Sequence, residues 1–282
     1  MKPSNLLTPT DVLELAPGVT LDGDAVADPL RSSALPLNDT GAVLLTLLPC
    51  TIQELAVALV QRYGLDDDRA RADAVTFAAA MNAALVTNVR MRGTSLPARI
   101  LRSCSLSVAC AMSGVRPAGA RCPYTRTPLS ANGRFRLIAE IVRGMAKPSL
   151  RCAAASVLPL AVLMLALGLV VIPVLLAVAV AFLVGPGLHE AGHALALRGT
   201  PSALVTTGVG AFIAQGPANP RRVRRAALAG PLLCALVAAG VVAVGFVLSA
   251  LFLVITGIIL SLQAVSLTVL TADGRNGLTG LA

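Results

Sequence analysis

The chain is short of charge, and the shortage is uneven. Charged residues make up 13% of the 282 positions, about half the share usual in soluble domains. The 36 residues from Ala153 to Leu188 and the 47 from Ala226 to Ala272 contain none. With 56% hydrophobic residues and a mean hydropathy of +0.79, this excludes an ordinary soluble protein and points to an integral membrane protein. Histidine is nearly absent, with only His189 and His193. After residue 151 the only carboxylates are Glu190 and Asp273. The six cysteines (Cys50, Cys104, Cys110, Cys122, Cys152 and Cys234) form no C-x-x-C pair. That excludes a zinc ribbon and suits a reducing compartment. The first residues, Met1 to Asn5, lead into Asp11 and Glu14 without an apolar stretch, so no signal peptide is expected.

The formal charge of +9 divides by region. Residues 1–90 are net −5, residues 91–151 net +10 and residues 152–282 net +4. The basic excess therefore sits beside the first apolar run, where the positive-inside rule and anionic lipid account for it. A nucleic-acid partner is not expected. Three regions follow from this: a soluble domain over 1–90, a basic linker over 91–151, and a membrane domain over 152–282.

In the first region, short apolar pieces alternate with turns. Val12–Leu15 precedes Pro17-Gly18, and Val19–Leu21 precedes the turn dipeptide Asp22-Gly23. Ser33–Leu37 is expected to be a third strand, kept at a sheet edge by Pro36. Three helices should follow. The first covers about 39–48. The second opens on the capping box Thr51-Ile52-Gln53-Glu54 and stops at Gly64. The third starts in Asp66-Asp67-Asp68 and carries Ala74, Phe77, Ala78, Met81 and Leu85 on one face.

Leu37-Asn38-Asp39-Thr40-Gly41, the Thr51–Gly64 helix and the long helix to Leu85 together resemble the PqqD-like domain. That domain is a small winged helix also called the RiPP recognition element, and the resemblance covers about residues 10–90. It implies a cytosolic domain that binds the leader of a ribosomally made precursor peptide. A DNA-binding winged helix is the alternative, and a net charge of −5 opposes it.

The linker is rich in Gly, Pro, Ser and Arg. Residues 134–147 within it have the pattern of an amphipathic helix at a membrane surface. A membrane helix needs about 20 residues, so each uncharged run has room for two. Gly168 and Pro173 are the expected turn of the first run, and Gly245 to Ser249 of the second. Residues 201–220 between the runs read as a short β-hairpin or re-entrant segment. The overall class is mainly α, with a small α+β winged-helix domain followed by a four-helix polytopic membrane domain. The charge pattern places it in the plasma membrane, multi-pass, with the N-terminal domain and the ends of the second and fourth helices cytosolic.

The second of these helices ends in Gly187-Leu188-His189-Glu190-Ala191-Gly192-His193. At helical spacing His189 and His193 share a face, so two imidazoles can hold one zinc ion with Glu190 beside it as a base. Histidines and a carboxylate at the end of an apolar run are costly without partners. A catalytic zinc usually has three protein ligands and a water. With Glu190 as base, Asp273 is the only carboxylate left in the membrane domain for the third.

H-E-A-G-H, then Ala229-Gly230-Pro231 after a basic cluster, then Asp273-Gly274, resemble the site-2-protease family of intramembrane zinc metalloproteases over about residues 153–278. The resemblance implies zinc on His189, His193 and Asp273, with Glu190 as general base. Cys234 stands where that family often has Asn, and Gln263–Leu270 lacks the Asn and Pro that many members carry. The two halves together imply a zinc metallopeptidase, with one Zn2+ per chain, that cuts a precursor peptide whose leader the first domain holds. Its expected partners are that precursor, the lipid bilayer, and an export transporter or modifying enzymes. A regulatory intramembrane protease and a non-catalytic accessory of maturation or export are the alternatives. A zinc transporter is disfavoured, because no further His or acidic cluster lines a path.

Overall fold

The computed structural model describes residues 7–31, 34–91, 124–129, 133–169, 172–206 and 211–262. The chain divides into two compact units, residues 1–127 and 128–282.

Among its described residues the first unit contains two small sheets and three helices. Strand β1 (Val12–Leu15) is flanked by β5 (Cys50–Thr51) and β6 (Thr87–Arg90), both antiparallel to it, so Leu13 faces Cys50 on one side and Val89 on the other. Strands β2 (Thr20–Asp22), β3 (Ala25–Ala27) and β4 (Leu35–Pro36) make the second sheet. β4 lies at its edge, where the missing N–H of Pro36 breaks no ladder.

Helix α1 (Asp39–Thr46) is capped by Asn38, whose side chain accepts from the N–H of Gly41. Helix α2 (Ile52–Tyr63) starts with the expected capping box: Thr51 N–H donates to Glu54 at 2.6 Å and Glu54 N–H to Thr51 Oγ1 at 3.1 Å. It ends on Gly64 at φ 64°, where a side chain would be strained. Helix α3 (Asp67–Ala83) is capped by Asp66. Its inner face is Ala70, Ala74 and Ala78, all fully buried. These small residues let α3 close on Leu55 and Leu59 of α2, and Leu13, Leu44, Ile52 and Val89 complete the core.

The unit does not stop at β6. Tyr124 and the start of β7 (Thr125–Pro128) return to it. The Tyr124 hydroxyl donates to Thr87 O at 3.0 Å, and its N–H to Asn88 Oδ1 at 3.1 Å. Arg126 pairs with Asp28, both side chains almost fully buried.

The second unit is built on helices α4 (Arg134–Ala166), α5 (Ile172–Ala196), α6 (Pro220–Val247) and α7 (Leu251–Ser261), with the antiparallel hairpin of β8 (Ser202–Thr206) and β9 (Ala211–Gln215) between α5 and α6. Helices α4, α5 and α6 are long and apolar enough to cross a membrane. The turns fall where the sequence places them, with Gly168 at φ 67° after α4 and Ser249 at φ 52° after α6.

Two features differ from the sequence reading. Residues 134–147 do not form a separate surface helix. They are the first turns of α4, and their apolar residues Leu137, Ile141 and Met145 pack on Ala191, Ala194 and Leu204. This row is covered by protein, whereas Phe135 and Val142 of the same stretch stay exposed. The fourth span is not established: α7 has 11 residues to Ser261, about 17 Å at 1.5 Å per residue, against a hydrocarbon core of about 30 Å. Residues 263–282, where the rest of it and Asp273 were expected, lie outside the described residues.

Candidate metal centre

Helices α5 and α6 meet along a seam of small residues. On α5, Ala177, Ala181, Gly185, His189 and His193 recur every four positions and are all buried. On α6, Ala226, Gly230, Cys234 and Ala238 do the same. Side chains four apart share a face, and small ones let two backbones approach closely. The rows run in opposite directions: Ala238 clusters with Ala181, Cys234 Sγ donates to Gly185 O at 3.6 Å, and Gly230 and Ala226 lie at the two histidines.

The approach is tightest at the motif. A Cβ on Gly192 would run into the Ala229 carbonyl, and a Cβ on Gly230 would stand 2.8 Å from His189 O. The glycines of H-E-A-G-H and of Ala229-Gly230-Pro231 therefore face each other, and this contact places α6 beside the imidazoles.

His189, Glu190 and His193 are each less than a tenth exposed. The two Nε2 atoms are 3.0 Å apart, and the rings meet edge to face at 82°. His193 Nδ1 lies 2.7 Å from the Ala226 carbonyl. A carbonyl only accepts, so Nδ1 carries the hydrogen, and in the neutral ring Nε2 presents a lone pair. Together with a carboxylate oxygen of Glu190, the ligand atoms lie within 4.8 Å of one another.

This donor set fits zinc. Two nitrogens each about 2.05 Å from a tetrahedral zinc are separated by about 3.3 Å, close to the spacing seen. The carbonyl bond at Nδ1 is the kind of outer contact that fixes the tautomer of a ligating histidine. Among the described residues no other group of three His, Cys, Asp or Glu side chains converges in this way. The structure brings together His189, Glu190 and His193, whereas Asp273 lies outside the described residues.

The end of α5 is held by the basic cluster that follows the hairpin. Arg222 donates to Thr200 Oγ1 at 3.0 Å and to the Arg198 carbonyl at 2.9 Å. A guanidinium suits the negative end of a helix dipole. His193 sits three residues before the end of α5, about 4.5 Å of rise, so the centre lies near the helix end that Arg198 follows.

Sequence reasoning missed the Ala177–Ala181–Gly185 and Ala226–Gly230–Cys234–Ala238 rows. Their signal was present as small residues every fourth position. Arg222 was read only as part of the basic cluster, with no notice of its bonds to Thr200 and Arg198, and Ala226 was not read as a backbone acceptor.

The site defines a class only by its chemistry, a buried His-Glu-His centre between membrane-length helices. Residues 25–85 match the family described as Coenzyme PQQ synthesis protein D (PqqD). This agrees with the PqqD-like resemblance of the first unit and does not extend to the second. No curated protein and no solved structure matches the chain.

Proposed function

We propose that the protein is a membrane-embedded zinc metallopeptidase that cleaves a ribosomally made precursor peptide held through its leader by the PqqD-like unit. The carrying observation is the convergence of His189, Glu190 and His193 in a buried seam, in a chain that also contains a PqqD domain. His189 and His193 would hold the ion through Nε2, and Asp273 is the carboxylate proposed as third ligand. When bound, zinc would acidify a water and polarise the scissile carbonyl. Glu190, next to His189 on the same turn, takes the proton of the attacking water as the carbon–oxygen bond forms. It returns a proton to the amine nitrogen as the carbon–nitrogen bond breaks. The small-residue seam excludes water on the α6 side, which strengthens the electrostatic effect of Glu190. A helical substrate hides its carbonyls, so the cleaved segment must be extended at the site.

The basic residues Arg198 and Arg221 to Arg225 support a cytosolic position for this edge of the membrane, the side on which a leader-binding domain meets newly made precursor. The test is co-expression with candidate precursors, followed by mass spectrometry of the peptide in wild type and Glu190→Gln. Cleavage in wild type and none in the variant is expected. An uncleaved precursor in both, with zinc bound in both, would overturn the peptidase reading in favour of an accessory role.

A further inference from the structure

The first turns of α4 have three faces. Leu137, Ile141, Met145 and Ser149 are buried. A second face stays exposed and apolar, from Phe135 and Ile138 through Val142 and Ala146 to Leu150. The third carries Arg136, Glu140, Arg143, Lys147 and Arg151, three or four apart and so aligned along the helix. The second and third faces adjoin, and the sequence repeats their junction. Val142-Arg143, Ala146-Lys147 and Leu150-Arg151 are apolar–basic doublets at intervals of four, and all six residues are exposed.

The length of α4 says where this junction falls. Its 33 residues make about 50 Å, and a hydrocarbon core of about 30 Å takes about 20 of them. The helix is uncharged from Cys152 onward, so the core takes that part, and an excess of about 13 residues lies at the basic end. Lys147 then stands at the boundary, with Arg143 one turn outside it and Arg151 one turn inside. The long stem of Arg151 lets its guanidinium reach back to the boundary. Met145 packs in one cluster with Ala191, which lies between His189 and His193. The junction is therefore level with the metal centre.

We propose that the three doublets form a binding surface for anionic phospholipid. The phosphate and headgroup lie against Arg143, Lys147 and Arg151, and the upper acyl chains run along Val142, Ala146 and Leu150. Charge and continuity select this occupant. Glu140, the one acid of the charged face, accepts from Arg136 at 3.2 Å, one turn away from the doublets. The doublets themselves present a line of like charge, and each such base beside a spanning helix strengthens the attraction of anionic lipid about fivefold. Beyond the doublets α4 stays exposed and apolar at Leu158, Val162 and Leu165. A lipid with its tails on that surface carries its phosphate to the level of the bases. This surface does not depend on the peptidase reading.

The chain has no tryptophan, so a single introduced indole reports its own surroundings. Full-length Val142→Trp is reconstituted in nanodiscs of phosphatidylcholine and phosphatidylglycerol, with bromine on the upper acyl chains of one lipid or the other. Leu236→Trp, at an exposed position of α6, is the reference. The indole at 142 should be quenched more by brominated phosphatidylglycerol, with a preference on the order of 10-fold. The indole at 236 should be quenched equally by both lipids. Adding Arg143→Gln, Lys147→Gln and Arg151→Gln together should remove the preference at 142 and leave quenching at 236 unchanged, which shows that the helices are still inserted. Lys147→Gln alone should lower the preference about fivefold, so the test does not rest on the triple variant. Equal quenching of the 142 indole by the two lipids would overturn the proposal, as would a preference that survives the triple variant. A water-exposed emission from position 142 in the bilayer would also overturn it and assign the face to a protein partner.

Discussion

A methyl group on Gly230 would stand 2.6 Å from Nε2 of His193. That is well inside contact distance, and the atom it meets is the one that would bind the ion. The glycine therefore serves the imidazole as well as the helix crossing. Gly240, further along the same helix, has nothing within 4 Å of an added Cβ.

These two positions make a matched pair. Gly230→Ala should lose most of its bound zinc and lower the thermal midpoint. Gly240→Ala should keep its zinc and gain about 0.5–1 kcal/mol from the better helix former. Metal analysis and thermal unfolding of the detergent-purified proteins measure both. Equal zinc content in the two variants would contradict the packing argument.

His193 and Glu190 should separate in the same assay. His193→Ala removes a nitrogen ligand together with the contact to the Ala226 carbonyl, so zinc retention should be abolished. Glu190→Gln keeps both imidazoles, so it should retain zinc and lose peptide hydrolysis. Full zinc occupancy in His193→Ala would rule out the assigned centre.

The place where the first unit ends can be tested by truncation. A fragment ending at residue 90 leaves Asp28 without the Arg126 guanidinium, and breaking a buried pair costs about 3–5 kcal/mol. The fragment ending at residue 127 should therefore unfold at clearly higher urea. Coincident urea midpoints would show that the ion pair contributes little.

Cys50 supplies a pH prediction. Burial, and then the nearby Glu54 carboxylate, push its thiol up to about 11 from an ordinary 9.0. The folded unit keeps this proton where the unfolded chain releases it. The contribution of Cys50 to stability is thus fully present below pH 9 and is lost as pH rises from about 9 to 11. At pH 8 the folded thiol should react far more slowly with iodoacetamide than the same thiol in urea. Equal alkylation rates would contradict the burial.

Much of this architecture is local and could be read from residue order. The Thr51 capping box, the Gly64 stop, the Asp66 cap and the turns at Gly168 and Ser249 are each written within a few residues. The His189–His193 spacing is equally local. What was not legible depends on long-range contacts. β5 has two residues and no pattern of its own, and it exists because β1 pairs with it. Residues 134–147 have an amphipathic pattern that fits a lipid surface as well as a protein neighbour, and only the packing on Ala191, Ala194 and Leu204 distinguishes them. Arg126 sits in a basic, proline-containing stretch, and nothing nearby marks it as the partner of Asp28, 98 positions away.

The contact between His193 Nδ1 and the Ala226 carbonyl has a thermodynamic consequence. One imidazole ring joins two helices through one nitrogen and, in the proposed metal centre, would offer the other to the ion, so the two equilibria would share a single group. By reciprocity, whatever tightens the α5–α6 pair raises cation affinity, and a bound cation strengthens the pair by the same factor. A chelator would then act on this molecule as a mild denaturant of its membrane half, and a detergent that loosens helices would act as a competitor for the ion.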